Sequence, residues 1–286
     1  MNNNRLRFLQ AYLGLLMLLG GAAFSGARAD ESIDAVAGVE PLKDIAVNVN
    51  RHLQSEDGSM LLFIRSGIWK PHGDLYLRNE HDLMSFEGFQ HGTHLELNTY
   101  DAERGLQAEP IISMTGEVDT FNNQIYMQIL DNRTGQMRKV KFVPYISVPD
   151  RPRFKLRLLG FREPDGWHRL LLTRVEVTDA ISGKLVQVLN GENSEQISYV
   201  DYEDINFDGY FDLRVMNRFN NGTDGTYLYW LYNPRSKQFE RAPEYEAIKG
   251  YLNTIFWCKE LRFDGGTYSW RTGSMQPAQM CDAWKE

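Results

Sequence analysis

Cysteine is nearly absent from this chain: Cys258 and Cys281 are the only two in 286 residues, too few for a disulfide-built scaffold and enough for one staple. Signatures of common catalysis are missing as well. There is no G-x-S-x-G, no C-x-x-C, no P-loop and no H-E-x-x-H, so the usual hydrolase, redox, NTPase and zincin motifs are excluded. His91-Gly-Thr-His94 is the one close histidine pair, and without a third ligand it reads as a solvated turn. Glu163 and Asp165, on either side of Pro164, read as an exposed turn because nothing sets the separation a glycosidase pair needs. A non-enzymatic protein is the expectation.

Long apolar runs are confined to the N-terminus. Arg5 and Arg7 precede a largely apolar run from Leu13 to Phe24, and Ala27-Arg-Ala29 offers small residues where a signal peptidase reads. The run is shorter than the ~20 residues that span a bilayer. Residues 1–29 therefore read as a cleavable signal peptide, giving a periplasmic protein with no membrane span after cleavage. No cysteine near that site offers a lipid anchor. In an oxidising compartment Cys258 and Cys281 are expected to pair, a staple worth about 3 kcal/mol by loop entropy.

Positive charge is also scarce. The formal net charge is −7, and cleavage removes Arg5, Arg7 and Arg28 but no acid, which leaves about −10. Nucleic acid is not an expected partner, whereas a cationic wall-degrading enzyme would be steered favourably.

From Met60 onward, short runs of β-branched, aromatic and aliphatic residues are cut by turn chemistry. Examples are Met60 to Arg65, Gln124 to Leu130 and Gly225 to Tyr232. Asp131 to Gly135, Asp179 to Gly183 and Asn233 to Lys237 read as hairpin connections. The pattern predicts an all-β, hairpin-rich antiparallel fold, a β-sandwich or a small propeller-like arrangement. Residues 30–58 read as mixed and polar, adequate for a linker, with Asp44 to Asn50 the first structured candidate. Charge and proline at Asp150 to Arg153 suggest two lobes, 38–150 and 151–286, although a single large β domain also fits. One short helix is expected at Pro243 to Lys249.

The most specific signal is Asp204-Ile-Asn-Phe-Asp-Gly-Tyr-Phe-Asp212, with oxygen-bearing side chains at loop positions one, three, five and nine and glycine at six. Calcium wants six to eight oxygens at about 2.3–2.6 Å. Asp204, Asn206, Asp208, the Tyr210 carbonyl and Asp212 would supply them, with Gly209 making the sharp turn. Position twelve is Val215 and the flanks read as strands, so the ion would tie a β-hairpin rather than an EF-hand. The alternative is a polar turn without metal. Arg218 to Tyr227 follows as a compact polar loop before an aromatic strand. Gly222, Thr223, Asp224, Gly225, Thr226 and Tyr227 are its candidate contact residues.

The segments Ser182 to Val188, Tyr202 to Val215, Gly225 to Asn233 and Gln238-Phe239 resemble bacterial periplasmic immunity proteins against peptidoglycan-hydrolase effectors of type IV secretion systems. That family is related to periplasmic lysozyme inhibitors. The resemblance covers about residues 160–250 and implies a calcium-bearing β fold that blocks a hydrolase by inserting a loop into its cleft. The Ser-Gly-x-Tyr inhibitor loop would correspond to Asp224-Gly-Thr-Tyr227, with Asp in place of Ser. On that basis Tyr227 is expected to anchor in the cleft and Asp224 to pair with a cleft base. A second reading, a calcium-stabilised adhesion module of the integrin-repeat type, shares the loop motif. Its repeats recur within a chain, and here the motif occurs once.

Overall fold

The computed structural model describes residues 38–100, 109–163, 169–196, 199–218, 225–247, 252–256, 258–263, 266–271 and 274–277. A two-residue strand, β1 (Glu40–Pro41), precedes β2 (Ala46–Ser55), β3 (Met60–Ser66), β4 (His72–Leu77), β5 (Asp82–His91), β6 (His94–Thr99), β7 (Ile112–Asp119), β8 (Gln124–Asp131) and β9 (Gln136–Pro144). From β2 onward each strand pairs antiparallel with the next. β9 then returns to β2, with Leu53 opposite Pro144 and Ser55 opposite Phe142. Eight strands thus close into a barrel. The expectation of an all-β, hairpin-rich chain holds, and this half closes on itself rather than forming a sandwich or propeller blades.

Period-two alternation explains the barrel's interior. Leu62 and Ile64 of β3, Leu75 of β4, Leu95 of β6 and Ile125 of β8 are fully buried in one cluster with Phe142. An eight-stranded barrel is just wide enough for such side chains to fill it. Gly88 marks a close approach between β5 and β6, since a Cβ there would lie 1.9 Å from the Glu96 carbonyl oxygen.

The second half is built of β10 (Phe154–Arg162), β11 (Leu170–Asp179), β12 (Leu185–Gln196), β13 (Tyr199–Glu203), β14 (Asp212–Arg218), β15 (Thr226–Asn233) and β16 (Gln238–Arg241). After them come α1 (Pro243–Glu246), opened by proline with acids in its first turn, and the small meander β17 (Asn253–Ile255), β18 (Glu260–Phe263), β19 (Gly266–Arg271) and β20 (Ser274–Pro277). The sheet β1-β10-β11-β12 packs against β13 to β16 through Leu172, Val175, Leu189, Leu213, Leu228 and Trp230. Here the architecture is sheet on sheet, as in a sandwich. Among the described residues no helix is long and apolar enough to cross a membrane.

β2 belongs to both halves. Its first residues, Ala46 to Val49, pair parallel with Tyr199 to Tyr202 of β13, while its last pair with β9. One twelve-stranded sheet therefore runs across the break expected at 150–151. The structured candidate Asp44 to Asn50 holds from Ala46 onward, and the linker expectation is corrected over 51–55, since Ala46–Ser55 form one shared strand. A third cluster joins Leu61 and Tyr76 of the barrel wall to Ile205, Phe207, Tyr229, Tyr245 and Phe256.

The expected turns form as the sequence implies. The Oδ1 atoms of Asp131, Asp179 and Asn233 accept the N–H groups of Arg133 (2.9 Å), Ile181 (3.2 Å) and Arg235 (2.9 Å). A residue with positive φ closes each turn: Gly135 (72°), Gly183 (70°) and Lys237 (58°).

Candidate metal centre

Residues 204–211 connect β13 to its antiparallel partner β14, so the oxygen-rich segment is the loop of a β-hairpin, as its flanks predict. Its side chains fold inward. Asp204 accepts from Asp208 N (3.0 Å) on Oδ1 and from Gly209 N (2.9 Å) on Oδ2. Asp208 Oδ1 accepts from Tyr210 N (2.9 Å), and Asn206 Oδ1 from Asp208 N (3.2 Å). Asp212 reaches further: Oδ2 accepts from Ile205 N and Oδ1 from Tyr232 N of β15, both at 2.8 Å. Gly209 carries φ of +90°, and a Cβ there would lie 2.5 Å from Val148 Cγ1, so both conformation and space call for glycine.

Three carboxylates are thereby gathered in a desolvated place. Burial pushes the Asp204 carboxyl up to about 7. It also raises Asp208, and lifts Asp212 well above the usual carboxylate range, aided in that case by repulsion from Asp204 and Asp208. Arg151 is the nearby cation; it attracts Asp204 and Asp208 and is itself held below its ordinary value by burial. One arginine does not offset three buried acids. The donor set is all oxygen, which fits a hard cation. Among the described residues no group of three or more His, Cys, Asp or Glu is arranged around an ion position; the loop oxygens accept its own backbone N–H groups instead.

Beside the loop lies a buried polar seam that the sequence reading missed. Asn48 Nδ2 donates to Asp201 Oδ1 (2.6 Å), and Asn50 Nδ2 to Glu203 Oε2 (2.7 Å), directly across the parallel pair β2–β13. Arg214 donates twice to Asp201 Oδ2, at 3.1 and 2.5 Å, and once to the Leu252 carbonyl at 2.7 Å. Glu203 also accepts from the Thr254 hydroxyl and lies 3.1 Å from His52 Nε2, whose ring stacks on Phe256 at 4.8 Å. Burial by itself would raise Glu203, but these partners outweigh it and hold the carboxyl down to about 2. The available signal was the alternation Asn48, Asn50, His52 matched to Asp201, Glu203.

The expected contact loop is placed only in part. Gly222, Thr223 and Asp224 lie outside the described residues. Gly225 and Thr226 are partly exposed, but Tyr227 is buried, 9% exposed, in the third cluster with the Arg214 guanidinium 5.5 Å from its ring centroid. The expectation that Tyr227 enters a partner's cleft is therefore corrected: its ring fills this protein's own core. Asn217 and Thr226 instead line an open cleft of about 730 Å³ with Glu163, Arg169, Glu192 and Glu195. Arg169 pairs there with Glu163 (2.8 Å) and Glu195 (2.7 Å). Cys258 follows β17, and Cys281 lies outside the described residues. No family model and no curated protein matches this chain.

Proposed function

We propose that this chain is an exported, calcium-stabilised inhibitor or immunity protein that blocks a peptidoglycan hydrolase, secreted or delivered as an effector, in the periplasm. The observation that carries the reading is the double attachment of Asp212, which ties the oxygen-rich loop at Ile205 to the aromatic strand at Tyr232. Asp204, Asn206, Asp208, the Tyr210 carbonyl and Asp212 would hold the ion, whose charge would offset the buried carboxylates. Stiffening this hairpin pair would steady Asn217 and Thr226 at the acidic cleft, and a rigid site binds with less ordering cost. Against Arg169 and Arg241, which pair with them, Glu163, Glu192 and Glu195 leave a small acidic excess at the cleft that favours a basic partner surface. A Cys258–Cys281 disulfide belongs to the same exported state.

Peptidoglycan hydrolysis by a lysozyme panel and by any genetically linked wall hydrolase tests the proposal. Wild type is expected to inhibit, and Gly225→Trp, Asp224→Ala and the pair Glu192→Lys with Glu195→Lys to weaken inhibition. Folded wild type that inhibits none of these enzymes and adheres to wall or glycan would transfer the assignment to an adhesion module.

A further inference from the structure

A second, smaller space lies beside Asp204. It is a chamber of about 10 Å³ walled by Asn50 and His52 of β2, Asn123, Tyr145, Arg151 and Asp204, among others. Asn50 and Asn123 are 1% and 8% exposed, and the Oδ1 atom of each is buried without a protein donor. The Asn50 amide has a fixed orientation. Asn50 Nδ2 donates to Glu203 Oε2, an acceptor, so reversing the amide would set two oxygens against each other. Asn123 sits at φ 54° in the β7–β8 turn. Asp119 Oδ1 braces that turn by accepting Phe121 N and Asn122 N, both at 3.0 Å. Arg153 clasps it from outside, donating to the Phe121 carbonyl at 2.7 Å.

A buried acceptor left without a donor costs about 1–3 kcal/mol, and Asn50 and Asn123, which each carry one, both line this chamber, so one shared donor there would satisfy the pair. The space matches one small molecule, because about 10–15 Å³ of such volume accommodates a single water. Arg151 and Asp204 both line the chamber, so charge does not select a cation there, and the volume is that of one water. We propose that the chamber is the site of one ordered water, which donates a hydrogen to Asn50 Oδ1 and the other to Asn123 Oδ1 and accepts from the Arg151 or His52 side of the wall. It ties the barrel's β7–β8 turn to β2 beside the first residue of the candidate calcium loop. Asn123 is then a positioning residue for that loop.

High-resolution crystals of the protein, grown once with calcium and once with chelator, test this directly. One solvent peak is expected in both, at about 2.7–3.2 Å from Asn50 Oδ1 and Asn123 Oδ1. A peak ringed by oxygens at about 2.3–2.6 Å, or present only with calcium, would make the chamber an ion site and overturn the proposal. So would a closed chamber, or a protein donor on either Oδ1. A second readout rests on the calcium reading, as the first does not. Asn123→Gly keeps the positive φ and is expected to weaken calcium binding about threefold, the scale of one lost neutral hydrogen bond. Calcium binding of unchanged strength in a folded variant would refute the positioning role and leave the water site standing on the crystals.

Discussion

Two interiors meet along one strand. The final residues of β2 send Leu53 into a barrel cluster dominated by hydrophobic side chains, with Thr99 the buried polar group bonded to its members Met84 and Ile112, whereas Asn48, Asn50 and His52 enter a seam of Asp201, Glu203 and Arg214. The barrel core is non-directional, so its stability follows volume and buried area. The seam is directional, and each member is tolerable only while its partner stays. Two amide-to-carboxylate matches, Asn48 to Asp201 and Asn50 to Glu203, therefore set the register between β2 and β13, a task that an aliphatic face does more loosely.

The largest expected effect breaks the seam. Asp201→Ala leaves Arg214 buried beside an absent partner and is expected to cost about 3–5 kcal/mol in urea unfolding. Replacing Asp201 and Arg214 together by leucine should cost less than the single change. If the double variant is the less stable one by the sum of the two singles, the pair is not a coupled unit. In the barrel, Leu62→Ala is expected to lose about 2–5 kcal/mol and Leu62→Met under about 1.5 kcal/mol, a gradation by volume that the seam lacks. Equal losses for both would contradict a tightly filled barrel.

The aromatic region next to the seam separates folding from binding. Tyr227→Ala is expected to lower stability by about 3 kcal/mol or more, as a buried aromatic truncation, while Thr226→Ala stays within about 0.5 kcal/mol. Melting curves of the two variants decide whether Tyr227 is core. Calcium at about 100 times its dissociation constant should stabilise the chelator-stripped protein by about 2.7 kcal/mol, and Asp208→Ala should abolish that shift. Calorimetry with no binding heat and an unmoved melting temperature would remove the ion from the loop. The smallest effect is at the surface: Glu56→Ala, which breaks the exposed Lys141 pair, is expected to leave the melting temperature essentially unmoved, and a clear drop would give that pair a weight that solvent screening denies it.

Legibility in the sequence followed the distance over which each feature is decided. The turns at Asp131, Asp179 and Asn233 and the hairpin around Gly209 depend on side chains within a few residues of the backbone they satisfy, and these were readable. β2 was legible only at its start, within Asp44 to Asn50; its polar seam was not, because Asn48 and Asn50 show no partner locally until Asp201 and Glu203, each 153 positions away, accept from them. Tyr227 misled for a related reason. Beside a Gly-rich loop it reads as an exposed probe, and only the packing of Arg214 and Tyr229 makes its position interior.

Local chemistry along the chain dictates strands joined by Asx and glycine turns, and one hairpin loop with oxygens at alternate positions. Alternation and turn chemistry are local, and few backbone conformations satisfy them. Long-range packing is what makes eight strands close on themselves, β2 leave the barrel to pair parallel with β13, and Asn50, Asn123 and Asp204 line one chamber. The same alternating pattern serves a sandwich, a propeller blade or a barrel equally well. Closure is chosen by strand tilt and stagger summed over many weak nonlocal contacts, and buried polar partners far apart in the chain then lock the choice.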